Sequence, residues 1–135
     1  MDTKQSAQAQ KEGYDNFTYY ASDDVKDDFC DYHVAKLAPI LAAHAQNFSS
    51  ILEIGFCAGR LMERMRDRYP DATIGGTEVR PQFVEKMKAR GFDCHCVDDE
   101  IIPGDNCYDL IYGTSVLHHF SAPYDFLRHA YARLN

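Results

Sequence analysis

From residue 50 onward, short apolar runs alternate with segments whose apolar residues recur every three or four positions. The first run, Ser50-Ile51-Leu52-Glu53-Ile54-Gly55, has the near-continuous apolarity of a buried strand and stops at a glycine. Residues 60–69 then place Leu61 and Met65 on one face of a helix, with Arg60, Arg64 and Arg68 on another. A second strand is predicted over residues 72–78. Pro81 suits the first turn of the next helix, Phe83, Val84 and Met87 face its core, and Gly91 ends it. Residues 92–97 predict a third strand and 109–114 a fourth. Ser121 with Pro123 opens a last helix carrying Phe126, Leu127, Ala130, Tyr131 and Leu134. Upstream, Phe29, His33, Leu37, Ile40 and Leu41 recur at helical spacing over 24–48, and Pro39 is predicted to split or kink that helix. Residues 1–13 have the polar, Gln-rich composition of a loose tail, and 14–22 concentrate Tyr14, Phe17, Tyr19 and Tyr20.

The order strand–helix–strand–helix–strand–loop–strand–helix implies an α/β fold: parallel strands, right-handed crossovers and helices on both faces of one sheet. At 135 residues there is room for a single domain, assigned to 23–135 behind the polar and aromatic segment 1–22. No apolar run approaches the ~20 residues of a membrane span. The first residues lack the basic-then-apolar order of an export signal, so a cytoplasmic protein is expected. A formal charge of -7 argues against a nucleic-acid partner, which needs clustered Lys and Arg. Asp23, Asp24, Asp27, Asp28 and Asp31 form an acidic run, read as a solvated helix face or N-terminal turn. Calcium is rejected there, because no glycine sits at the sharp-turn position and no Glu closes the loop. Cys94-His95-Cys96 spaces its thiols by one residue and no second pair answers it. A buried strand with small apolar thiols is the reading preferred to a zinc site, and no metal is expected.

In an open parallel sheet, ligands sit beyond the carboxyl ends of the strands. Those ends carry Glu53 and Gly55, then Glu78, then Asp98 and Asp99, then Gly113, Thr114 and Ser115. Packing gives no reason to end successive strands in carboxylates, so a ligand rich in hydroxyls and cationic nitrogen is implied. In the turn Gly55-Phe56-Cys57-Ala58-Gly59, glycines allow a tight backbone and close approach of a ligand. Cys57 and Arg60 break the glycine pattern of a dinucleotide fingerprint, and no Gly-Lys-Ser/Thr follows to make a P-loop.

Residues 51–60, Ile-Leu-Glu-Ile-Gly-Phe-Cys-Ala-Gly-Arg, resemble the first motif of class I S-adenosylmethionine-dependent methyltransferases. The likeness continues in order through Thr77-Glu78-Val79, through residues 97–103 and through residues 108–120. It implies a three-layer Rossmann-like sheet with N-terminal helices, S-adenosylmethionine as cofactor and S-adenosylhomocysteine as product. Glu53 falls where that family holds the cofactor's ammonium group. Gly55, Cys57 and Gly59 fall in the loop beneath its methionine part, and Cys57 departs from the commoner glycine. Glu78, with Val79 beside it, falls where the ribose hydroxyls are bound. Asp98, with Asp99, falls where the adenine amino group is met, and Gly113 and Thr114 where carbonyls approach the amino-acid end. His118 and His119 follow the fourth strand on the acceptor side, where a general base would serve a hydroxyl or amine acceptor; packing of the turn is the competing role. Tyr14, Tyr19 and Tyr20 fall where family members bring an aromatic over the cofactor, and ordinary packing competes with that as well.

The family sheet continues past the helix at 121–134 with a further turn, strand and hairpin, and the chain stops at Asn135. The resemblance therefore implies a C-terminally truncated sheet with its fourth strand at an edge, open to a second copy or a partner chain. Two functions follow as expectations. One is methyl transfer to a small-molecule acceptor; the other is a noncatalytic cofactor-binding or scaffold module completed by a partner or homodimer. An NADP enzyme with Arg80 near a 2′-phosphate is a distant third.

Overall fold

A computed structural model describes residues 27–44, 47–98 and 100–135. Helix α1 (Asp27–His44) is followed by β1 (Ser50–Ile54), α2 (Arg60–Arg68), β2 (Thr73–Glu78), α3 (Pro81–Ala89), β3 (Asp93–Cys96) and β4 (Leu110–Gly113). A single 3-10 turn (Leu117–His119) then leads to α4 (Pro123–Tyr131). The aromatic segment with Tyr14, Tyr19 and Tyr20, the acids Asp23 and Asp24, and Asp99 lie outside the described residues.

The strands pair in the order β3-β2-β1-β4, every neighbour parallel. β1 is central and carries the longest apolar run, with Ile51 and Leu52 almost fully enclosed. The chain passes from β1 outward through β2 and β3 and then crosses back to β1's other side. The strand order reverses there, which opens a crevice beyond the carboxyl ends of β1 and β4.

Alternation along the strands divides the core into two layers. Ile51, Ile74, Cys94 and Tyr112 face Leu41 of α1, Leu61, Met62 and Met65 of α2, and Phe83, Val84 and Met87 of α3. Leu52 and Ile54 face the opposite way, onto Phe126 and Ala130 of α4 with Ile102 and Tyr108. Asp109 fastens the entrance of β4: its carboxylate accepts the backbone N–H groups of Ser49 (2.7 Å) and Ser50 (3.1 Å) and the Asn135 amide (2.7 Å). Those donors, Asn135 foremost, hold the carboxyl below its usual range.

Two expectations need correction. α1 runs through Pro39 without the split that was one of the two outcomes expected there; proline removes one donor from the ladder, but its fixed φ is itself helical. The thiols of β3 are not both buried. β3 is an edge strand, so Cys94 is enclosed while Cys96 is exposed, its thiol donating to the Val79 carbonyl at 3.8 Å. The strands are also shorter than predicted by one residue, at one end or at both. The one acid of the predicted acidic face whose side chain is described, Asp31, is exposed and pairs with Arg64 at 3.3 Å.

Candidate functional site

The turn from β1 into α2 alternates its backbone handedness: Gly55, Cys57 and Gly59 have φ of 68, 53 and 80. Its position is fixed by β2, whose Thr77 carbonyl accepts the N–H groups of Gly55 (2.8 Å) and Phe56 (3.3 Å). A Cβ on Gly59 would lie 2.3 Å from the Met87 sulfur, and one on Gly55 would lie 2.8 Å from Val116 Cγ2. Both glycines thus serve the turn and its packing, since the places their Cβ atoms would take are filled by Val116 and Met87. Cys57 adopts a left-handed conformation despite its Cβ, at a cost of about 1–2 kcal/mol. Cys57→Gly is therefore expected to stabilise the protein by up to about 1 kcal/mol after glycine's extra unfolded-state entropy. Thermal melting of the two proteins checks this; an unchanged or lower melting temperature contradicts it.

Two buried carboxylates flank this turn. Glu53 is 3% exposed. The β1–β4 register sets Tyr112 directly opposite it, and the Tyr112 hydroxyl donates to Glu53 Oε2 at 2.8 Å. Burial, opposed by that bond and reinforced by Glu78, raises the Glu53 pKa to about 8. Glu78, 7% exposed, accepts the Cys57 N–H on Oε2 (2.9 Å) and the N–H groups of Val79 (2.8 Å) and Arg80 (3.2 Å) on Oε1. It clamps the glycine turn to the end of β2. Burial also lifts its pKa, against the pull of those donors and of Arg80. The Cys57 thiol, half-buried between the acids, is pushed up to about 11 by burial and by Glu78, so it stays protonated at neutral pH.

The structure brings Glu53, Gly55, Cys57, Gly59 and Glu78 together at the ends of the two central strands. Val79 is half-buried beside them. Asp98 is exposed on the turn after β3, separated from β1 by the whole of β2. Gly113 pairs in register with Ile54, and Thr114 follows it half-buried. His118 and His119 lie on the 3-10 turn with ring centroids 4.0 Å apart. Burial, then His118, lowers the His119 pKa and keeps its imidazole neutral at pH 7.

Tyr112 is the residue the sequence did not reveal, and Arg80, named there only for a 2′-phosphate, has a burial the sequence did not show. Tyr112 looks like one more apolar strand residue until the register pairs it with Glu53 across the sheet. Arg80 is 4% exposed, with its guanidinium over the Phe83 ring at 4.5 Å, and nothing in an isolated Val-Arg-Pro foretells that burial.

An open parallel sheet with helices on both faces and a left-handed glycine turn at the end of its central strand defines a doubly wound, Rossmann-like α/β protein. Residues 52–135 match the family described as Methyltransferase domain, and the chain belongs to that family. A curated relative, malonyl-[acyl-carrier protein] O-methyltransferase of Anoxybacillus flavithermus, is 33% identical over 78 residues, which cover 55% of this chain and 30% of the relative. The plantazolicin methyltransferase BpumL, solved with a monoazolic desmethylPZN analog and SAH, superposes with a TM-score of 0.73 at 15% identity, over 98% of this chain and 54% of its own. The [4+2]-cyclase SpnF shares the fold with a TM-score of 0.59 at 22% identity, over 74% of this chain and 41% of its own. The chain thus spans less than a third of its curated relative and about half of the plantazolicin enzyme. At these identities the solved structures speak for the fold alone.

Proposed function

We propose that the chain binds S-adenosylmethionine along the carboxyl ends of β1, β2, β3 and β4 and transfers its methyl group to a small-molecule acceptor. The observation that carries this reading is the pair of buried carboxylates, Glu53 and Glu78, on either side of the left-handed turn. The donor set fits the ligand. Burying an ionised carboxylate is costly without a cationic partner, and an ammonium group supplies one to Glu53. Tyr112 holds Oε2 of that carboxylate, which orients Oε1 for a second donor. Glu78 has three backbone donors on two oxygens, and a carboxylate offers about four lone-pair sites, leaving room for a ribose hydroxyl. Asp98 and Asp99 take the adenine side, and Gly113 and Thr114 the amino-acid end, by likeness to the family.

When bound, the sulfonium supplies an activated methyl group whose transfer needs alignment and a dry site more than chemical assistance. The chain's own residues supply orientation through Glu53 and Glu78. His119, whose pKa burial lowers, is the residue we assign to take a proton from a hydroxyl or ammonium acceptor, with His118 beside it. Calorimetric titration with S-adenosylmethionine is expected to give saturable binding below millimolar concentration. No heat at millimolar ligand would sink the proposal.

A second reading has its own observation. Among the described residues β4 is paired along its length only with β1. Its outer edge is met at its entrance alone, where Tyr108 N–H donates to the Arg133 carbonyl (2.8 Å) and Asn135 N–H to the Tyr108 carbonyl (3.0 Å). Beyond that point a groove of about 260 Å³ is lined by Ile111, Gly113, Leu117, Leu127, Tyr131 and Leu134. An apolar open edge favours pairing with another chain, so we propose a second copy or partner there, in a binding or scaffold role. Sedimentation is expected to show a dimer or larger species that Leu127→Glu returns to monomer. A monomer at high concentration with an intact melt would count against it.

A further inference from the structure

Glu100 belongs neither to the glycine turn nor to the histidine pair, yet it is 7% exposed and both its carboxylate oxygens are engaged. Oε1 accepts the Ser121 N–H at 2.7 Å, Oε2 accepts the Ala122 N–H at 3.3 Å, and the Ser121 hydroxyl lies 3.2 Å from each oxygen. Ala122 is the N-cap of α4 and has no side chain that could cap it. A carboxylate from 21 and 22 positions upstream instead takes the N–H groups of Ala122 and of Ser121 just before it, favoured by the helix's partial positive charge.

The placement of this clasp matters more than its strength. Glu100 stands two residues after Asp98, and Ser121 stands two residues after His119. One carboxylate therefore ties the segment assigned to the adenine to the segment assigned to the acceptor. The rest of the loop is secured elsewhere. Ile102 N–H donates to His129 Nε2 at 3.0 Å, and the Arg133 guanidinium donates to the carbonyls of Asn106 (2.8 Å), Ile102 (3.4 Å) and Pro103 (3.4 Å). Those contacts fix the far end of the loop on α4 and the residues just after it; nearer the site, Val97 N–H donates to the Glu78 carbonyl at 2.9 Å, and Glu100 makes the tie to the histidine turn.

We infer that Glu100 is a positioning residue that couples the adenine-side loop to the histidine turn, so that ordering one orders the other. This rests on the cofactor reading above. Hydrogen exchange of the full chain, with and without S-adenosylhomocysteine as probe, tests both. In the wild type the probe is expected to slow exchange at 55–59, at 97–103 and at 117–122. In Glu100→Gln, exchange at Ser121 and Ala122 without probe should run at least tenfold faster. The probe should bind roughly five- to tenfold more weakly, and its protection should persist at 55–59 but vanish at 117–122. Equal protection at 117–122 in variant and wild type, or an unchanged dissociation constant, overturns the coupling while leaving the cofactor reading in place. No protection at 55–59 in the wild type overturns the cofactor reading and the coupling with it. Ser121→Ala keeps both backbone donors and serves if Glu100→Gln does not fold. A two- to threefold loss of affinity with weakened protection at 117–122 supports the coupling, and wild-type behaviour refutes it.

Discussion

Glu53→Gln is expected to lose S-adenosylmethionine binding by about 30- to 1000-fold while making the unliganded protein more stable at alkaline pH. The loss corresponds to removing one partner of a buried ion pair, at about 2–4 kcal/mol. The gain follows from linkage. Burial raises the Glu53 pKa from 4.5 to about 8, so the folded state holds a proton the unfolded state has released. Stability conferred by that difference is complete below the unfolded value and falls by about 1.4 kcal/mol per pH unit until the folded value is passed. A glutamine has no such slope. Melting temperatures between pH 5 and 8.5 should therefore decline more steeply for the wild type than for the variant. Parallel curves would refute the buried acid. Cofactor affinity should move the other way in the wild type. Pairing with an ammonium requires the ionised carboxylate, so affinity should rise by up to about tenfold per unit from pH 6 toward 8.

Glu78→Ala should damage both the fold and the site. Its carboxylate is the acceptor for the N–H groups of Cys57, Val79 and Arg80. Each buried donor left without a partner costs about 1–3 kcal/mol. Some will reach water once the side chain is gone, so a net destabilisation of about 2–4 kcal/mol is expected, with cofactor binding lost beyond detection. Glu78→Gln separates the two roles. It keeps one acceptor oxygen, should hold the fold within about 1–2 kcal/mol, and should still bind at least tenfold more weakly. Denaturant unfolding with calorimetry reads both quantities. An alanine variant of wild-type stability would show that the clamp carries nothing.

The succession of strands and helices was legible because each strand is an apolar run closed by a glycine or an acid, and each helix keeps its apolar stripe. The acids Glu53 and Glu78 were legible for a related reason: a carboxylate at the end of a buried strand has no packing role. What was hidden depends on pairing across long separations. Tyr112 meets Glu53 across 59 positions, and Glu100 reaches Ser121 across 21. Local pattern assigns neither. The left-handed φ of Cys57 was hidden as well, since the turn dictates it and the residue resists it. A split at Pro39 did not follow from its missing donor, because its fixed φ is helical.

The central position of β1 also orders events in time. β2 reaches it, and β3 reaches β2, through short crossovers, whereas β4 must close a loop spanning the 59 positions between Glu53 and Tyr112. Loop closure on that scale is slow relative to the local pairings, so β1, β2 and β3 are expected to assemble as a nucleus onto which β4 and α4 dock last. Tyr112→Phe should then accelerate unfolding and leave the refolding rate nearly unchanged. The nascent chain would complete its three-stranded half while Glu53 still faces water, and the acid is sealed in only at the final step.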